Sequence, residues 1–170
     1  AIVNMKIRNK IHIMEKRILK YVNKSPNPDL SYGNCDENGN SGNSGFDLYA
    51  WIEDGPIIVK PLDRVLVHTG IYIEIPEDCE IQIRSRSGYS LKYGIVVANS
   101  PATIDSNYTG ELCVIVHNLS NEDFTISNGA KIAQAVLCPV FNGHQVSLMN
   151  TDSIKENKER GSRGFASSGF

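Results

Sequence analysis

Long apolar runs are missing from this 170-residue chain, and no charge of one sign dominates it. A membrane-spanning helix needs roughly 20 consecutive apolar residues. No stretch comes near that, so no membrane partner is expected. The 17 lysines and arginines stand against 19 aspartates and glutamates, a net charge of −2. Without a broad basic field, stable nucleic-acid binding is not expected, and any phosphate recognition falls to a few placed cations. Cysteine is scarce and scattered: Cys35, Cys79, Cys113 and Cys138 form no C-x-x-C pair. His12, His68, His117 and His144 show no metal-ligand spacing. Neither a disulfide framework nor a zinc site is read from them. Cys113 and Cys138 sit in apolar runs and are expected to act as small core residues. The first residues lack a signal-peptide pattern. The expected setting is therefore reducing and intracellular, cytoplasmic or, in a eukaryotic or viral context, nuclear.

What is present suits one domain with a real core, at 41% hydrophobic residues. "AIVN" before Met5 has the look of a vector remnant, and residues 1–13 are read as an extension. Ile7, Ile11, Met14, Ile18 and Val22 fall at roughly helical spacing, but the β-branched content favours a strand over Arg17 to Val22. A polar Pro-, Gly- and Asn-rich loop follows, with "NCDENGNSGNSG" read as solvated. From Phe46 the pattern changes to short β runs. "RVLVHTGIYIEI" alternates Val65, Val67, Ile71, Ile73 and Ile75 about an interruption or bulge at Thr69-Gly70. "EIQIRS", "GIVVAN", "ELCVIVHNLS", "DFTIS" and "KIAQAVLCPV" continue it, and "YSLKYG" suits one or two helical turns. Short strands at this spacing predict an all-β barrel or jelly roll over residues 14–150, followed by a mobile polar arm over 151–170.

Five patches carry chemistry-bearing residues: "SGFDLYA", "SRSGYSLKYG", "NSPATIDSNYTGE", "GAKIAQAVL" and "RGSRGFASSG". Arg86, Ser87 and the permissive Gly88 at a strand end combine a guanidinium, a hydroxyl and backbone amides, which suits a phosphate. Gln134 in an apolar strand must find partners, either in local backbone or in a ligand. Asp47 and Asp105 are carboxylates in β surroundings that either close turns or serve as a base and a partner for Mg²⁺ arriving with a triphosphate. The tail lacks the G-K-[ST] ending of a Walker loop. Its arginines, serines and one phenylalanine suit stacking on a base and contact with phosphates.

In their order, these five patches resemble the motifs of the trimeric dUTP nucleotidohydrolases (dUTPases), over nearly the whole chain from about Arg17. The resemblance implies a distorted jelly-roll, or β-clip, subunit in a homotrimer with shared sites, with dUTP as substrate and Mg²⁺ as cofactor. It implies hydrolysis to dUMP and pyrophosphate by water attacking the α-phosphorus. Asn99 and the hairpin backbone at Thr103 and Ile104 then match the uracil-reading groups. Tyr108 matches the residue under the deoxyribose. Asp105 matches the catalytic acid that holds the 3′-hydroxyl and orients water. Arg86, Ser87, Gly88 and Gln134 match phosphate-binding positions, and Asp47 matches the acid near the metal's water shell, with no direct ligand expected. Arg160, Phe165, Ser167 and Ser168 match the closing arm. Ser85 stands where the family usually has proline and Ala102 where it has glycine. Asn107 replaces a common aspartate, and Arg163 and Ala166 replace glycines. Two alternatives stay open at this level. One is a dCTP deaminase of the same superfamily, with Glu111 as the only nearby candidate base; the other is a non-catalytic, nucleotide-gated regulator.

Overall fold

The structure, a computed structural model, describes residues 16–155. The spacing of Ile7, Ile11 and Met14 and the arm residues Arg160, Arg163, Phe165, Ala166, Ser167 and Ser168 lie outside the described residues. The chain divides into two compact units, one ending at Val140 and one beginning at Phe141. The described part of the second unit holds a turn in which the Gln145 and Val146 amides donate to the Asn142 carbonyl, each at 2.9 Å.

Among its described residues the first unit is all-β apart from one short helix, as the run of short alternating segments requires. Its largest sheet has the order β2 (Phe46–Tyr49), β11 (Lys131–Pro139), β6 (Cys79–Arg84) and β8 (Ala102–Ile104). A second sheet orders β4 (Arg64–Val67), β9 (Val114–Asn118) and β7 (Ile95–Val97). Two ribbons complete it, β1 (Lys20–Asn23) with β5 (Ile71–Glu74) and β3 (Ile57–Val59) with β10 (Phe124–Ile126). Every pairing is antiparallel. Successive side chains of a strand point to opposite faces. In β6 that sends Cys79, Ile81 and Ile83 inward, and in β9 it buries Val114, Val116 and Asn118.

The interruption at Thr69-Gly70 is a corner. Val67, Thr69, Ile71, Ile73 and Ile75 keep one buried alternation while the chain leaves the β4 sheet and joins β1. Gly70 makes the turn at φ 71°, and a Cβ there would lie 2.8 Å from the Ser25 amide nitrogen and 2.9 Å from the Trp51 ring. Only glycine fits both the left-handed backbone and the space. The corner is bolted to residues 111–112. The buried Thr69 hydroxyl donates to the Leu112 carbonyl at 2.6 Å, and the Leu112 amide donates to Ile71 at 2.8 Å. Glu111 Oε1 accepts the Thr69 and Gly70 amides at 2.9 and 2.7 Å.

Asn118 is fully buried and fully paired. Its amide donates to the Val59 and Glu122 carbonyls, and its Oδ1 accepts from the Ser120 amide and hydroxyl. A buried amide so satisfied carries no desolvation penalty and fixes the loop that leads into β10.

Two expectations need correction. The first strand begins at Lys20 rather than Arg17. Its partner β5 ends at Glu74, opposite Lys20, just ahead of Pro76, so nothing remains for Arg17 to pair with. Arg17 turns instead to Asp78, with two guanidinium–carboxylate bonds of 2.8 Å. The "YSLKYG" segment is helical as expected, part of a two-turn helix, α1 (Ser87–Tyr93). Cys113 and Cys138 are only half-buried, and Cys79 is the core cysteine, because strand alternation turns the other two to the outer face. All four cysteines are free thiols.

Burial pushes the Glu111 carboxyl up, but bonds from His68 and from the Gly70 and Thr69 amides outweigh it and hold the group below its ordinary value of 4.5. A depressed folded value means this stabilisation is present above the unfolded value and is lost as pH falls through the folded one. Glu111→Gln is expected to cost about 1–3 kcal/mol at neutral pH, in the range of hydrogen bonds to charged groups. Urea denaturation of both proteins should show that gap closing as pH falls below about 4.5.

Candidate active site

β2 and β11 run side by side with Asp47 opposite Gln134, while Gln134 also faces Arg84 of β6 on its other flank. Because Phe46 and Leu48 point into the core, Asp47 and Tyr49 point out of it together. Their side chains line a cleft of about 610 Å³ with Arg86, Ser87, Gly88 and Gln134. The sheet thus gathers the first, second and fourth sequence patches at one site.

Charge pairing organises the floor of this cleft. Asp47 lies between two cations, with Arg86 Nε at 3.3 Å from one carboxylate oxygen and Lys131 Nζ at 2.9 Å from the other. Arg86 also donates to the Lys131 carbonyl at 3.0 Å and lies over the Tyr89 ring at 5.5 Å. The hydrogen bond to Asp47, and then its charge, raises the Lys131 ammonium above its ordinary value. Two cations against one carboxylate leave the floor with a net positive charge, suited to a polyanion. Ser87 and Gly88 open α1, where first-turn amides lack intrahelical partners.

Gln134 finds its partner in local backbone and also borders the cleft. Its Nε2 donates to the Ser85 carbonyl at 3.2 Å, and the same side chain lines the cleft. The departure at Ser85 is used locally: its hydroxyl accepts the Val97 amide at 2.8 Å. Gly45 is required for this approach, since a Cβ there would sit 2.8 Å from the Ala135 carbonyl oxygen.

Sequence reasoning missed Lys131, although strand pairing opposite Tyr49 puts it on the cleft side. It also missed that the Asn-rich loop walls the site. Tyr32, Asn34 and Asn43 line the cleft. Asn43 donates to the Tyr32 carbonyl across the loop's neck, and Tyr32 meets Phe46 edge-on at 5.6 Å. Asp36 holds the tip by accepting the Asn38 and Asn40 amides.

The third patch lies elsewhere on the subunit. β8 pairs with β6 on the side away from β11, and the turn before it contains a cis peptide at Ser100-Pro101. Asn99, Thr103, Asp105 and Tyr108 are exposed there, Ile104 is half-buried, and none of them lines the cleft. The departure at Ala102 is a buried strand residue opposite Ile83. The Tyr108 amide donates to the Asp105 carbonyl at 3.1 Å, and its hydroxyl donates to the Glu111 carbonyl at 3.0 Å. Those bonds fold the ring over Gly110 and hold residues 105–111 in one compact loop. Chemically, the cleft offers cations and amides for phosphates. The turn before β8 and the loop after it present an amide, a ring and a carboxylate.

Residues 33–169 match the family model described as dUTPase. A deoxyuridine 5′-triphosphate nucleotidohydrolase of Treponema denticola is 48% identical over 130 residues, covering 76% of this chain and 87% of that protein. One from Finegoldia magna is 44% identical over 152 residues, covering 89% and 99%. Among solved structures, a substituted dUTPase of Staphylococcus bacteriophage 80alpha with dUpNHpp superposes at a TM-score of 0.73 and 22% identity, covering 91% of this chain and all of that one. A substituted dUTPase from phage phi11 of S. aureus, described with a structural Mg(II) ion, gives 0.66 at 19% identity, over 82% of this chain. With a family model spanning most of its length and close relatives over three quarters of it or more, the chain belongs to the dUTPase family.

Proposed function

We propose that this protein hydrolyses dUTP to dUMP and pyrophosphate, supplying thymidylate precursor and limiting uracil in DNA. The carrying observation is the cleft floor, where Arg86, Lys131 and Gln134 surround Asp47 in the arrangement a triphosphate needs.

In this reading Arg86, Ser87, Gly88 and Gln134 hold the phosphates, with Lys131 adding a second cation. Asn99 and the backbone at Thr103 and Ile104 read the uracil edge, and Tyr108 supports the deoxyribose and excludes a 2′-hydroxyl. Asp105 bonds the 3′-hydroxyl and orients a water for in-line attack on the α-phosphorus. The bond to the α,β-bridging oxygen breaks, pyrophosphate leaves, and the water's proton passes to the Asp105 carboxylate. Arg160, Phe165, Ser167 and Ser168 close over the nucleotide and exclude bulk water.

Asp47 is the one carboxylate lining the cleft among the described residues. A single carboxylate fits Mg²⁺, which keeps several waters and takes its other oxygens from phosphates. Asp47 would hold the ion through its water shell, and the ion supplies charge neutralisation along the triphosphate.

The third patch and the cleft lie at opposite edges of one sheet, on β8 and β2, and no third-patch residue lines the cleft. This supports a complete site that combines the cleft of one chain with the third patch of another, in a homotrimer. The four free thiols suit a reducing, cytoplasmic setting. The deaminase reading loses its base: one Glu111 oxygen accepts two backbone amides and the other lies 2.8 Å from His68 Nδ1. No observation favours a non-catalytic regulator.

Pyrophosphate assays with each deoxynucleoside triphosphate and Mg²⁺ test the function. Release is expected from dUTP and not from dTTP, whose 5-methyl group overlaps a tight pocket. Asp105→Asn should lower kcat by about 10²-fold or more. Ammonia from dCTP, or equal release from dUTP and dTTP, contradicts the reading. Lys131→Ala separates binding from stability. Losing an exposed ion pair costs about 0–1 kcal/mol of fold, whereas losing a charge-assisted phosphate contact should raise KM for dUTP roughly tenfold.

A further inference from the structure

We propose that His68, Glu111 and Cys113 form a binding site for a thiophilic divalent metal ion, zinc by preference, at the β4–β5 corner and separate from the nucleotide cleft.

Topology brings the three residues together. The register that pairs Val67 with Val114 carries on to set His68 opposite Cys113. Glu111 and Cys113 flank the buried Leu112, so both turn away from the core. One donor atom from each residue lies within 4.8 Å of the other two. His68 Nδ1 stands 2.8 Å from Glu111 Oε2 and 3.6 Å from Cys113 Sγ.

These separations suit a tetrahedral ion. With bonds of about 2.0–2.1 Å to nitrogen and about 2.3 Å to sulfur, the nitrogen–sulfur edge of a tetrahedron is about 3.6 Å. The nitrogen–oxygen edge is about 3.3 Å, so the His68–Glu111 contact must open by roughly half an ångström. The His68 side chain is 58% exposed and has room to do so. Nδ1 gives up its hydrogen bond to Glu111, the neutral imidazole then carrying its proton on Nε2, and the Cys113 thiol loses its proton, so the ion enters in place of the thiol proton.

The carboxylate is already aimed. Glu111 Oε1 is fixed by the Thr69 and Gly70 amides, which leaves Oε2 presented to the other two donors. Ligating carboxylates are commonly held in this way by a second layer of hydrogen bonds. A nitrogen, oxygen and sulfur set favours zinc over magnesium, which demands oxygen ligands and octahedral geometry. The fourth position opens on the exposed side of His68 and takes water.

The test uses the full chain, stripped with a chelator under reducing conditions and titrated with Co²⁺ as a spectroscopic probe. The expected result is one equivalent per chain, with the visible bands of tetrahedral cobalt and a thiolate-to-cobalt charge-transfer band. Zn²⁺ should abolish both, and excess Mg²⁺ neither. Cys113→Ser should remove the charge-transfer band, His68→Ala should weaken binding at least tenfold, and Cys35→Ser should change nothing. X-ray absorption on the zinc-loaded, unsubstituted protein should find one sulfur and otherwise nitrogen or oxygen, which decides the matter without any variant. Absence of a thiolate band, its survival in Cys113→Ser, or its loss in Cys35→Ser would overturn the proposal.

Discussion

The Glu111 carboxylate, clamped by the Thr69 and Gly70 amides, joins the two parts of the subunit that matter most. On one side it closes the corner where the chain leaves the β4 sheet for the β1–β5 ribbon, a place that only glycine at residue 70 can turn. On the other it ends the loop that carries Asp105 and Tyr108, whose hydroxyl reports to the carbonyl of the same residue. Two buried-edge amides and a charged acceptor make stronger bonds than neutral partners would. The loop that carries Asp105 and Tyr108 is therefore tied to the sheet corner, as the proposed role of Asp105 in orienting water requires.

A second constraint is electrostatic. Arg86 and Lys131 both pair with Asp47, one on each carboxylate oxygen. An unpaired cation pair facing across a strand would repel; the intervening carboxylate prevents that and keeps both side chains oriented. The polar loop through Tyr32 and Asn43 then narrows the cleft without adding charge. The residues proposed for phosphate binding and for nucleoside reading thus lie on separate strands, β2 with β11 and β8 with its following loop. Only the β6 strand between them connects the two within one chain.

Much of this was legible in the sequence, and the reasons differ by element. The alternation in "EIQIRS" and "RVLVHTGIYIEI" reports a sheet with one dry face, so the all-β architecture followed directly. The candidate residues Asp47, Arg86, Ser87, Gly88 and Gln134 were recognisable by type, and antiparallel pairing collects them in one cleft. Lys131 was not legible because a lysine at a strand end usually faces solvent; its role depends on a bulge between Lys131 and Ala133 that shifts the register. The start of β1 at Lys20 was hidden too, since it is set by where the partner strand stops rather than by local propensity. Glu111 was singled out only as a candidate base for the deaminase alternative. Its function arises from residues 41 and 42 positions away, a distance over which periodicity carries no information.

The central claim is that a complete site takes its phosphate cleft and its uridine hairpin from different subunits. Mixing Arg86→Ala with Asp105→Asn chains under conditions that exchange subunits, then assaying pyrophosphate from dUTP, tests it most directly. Each variant alone should be nearly inactive. A randomly assembled closed ring should recover about a quarter of the wild-type rate, because one junction in four pairs an intact cleft with an intact hairpin. Activity no higher than the sum of the two parents would contradict the account.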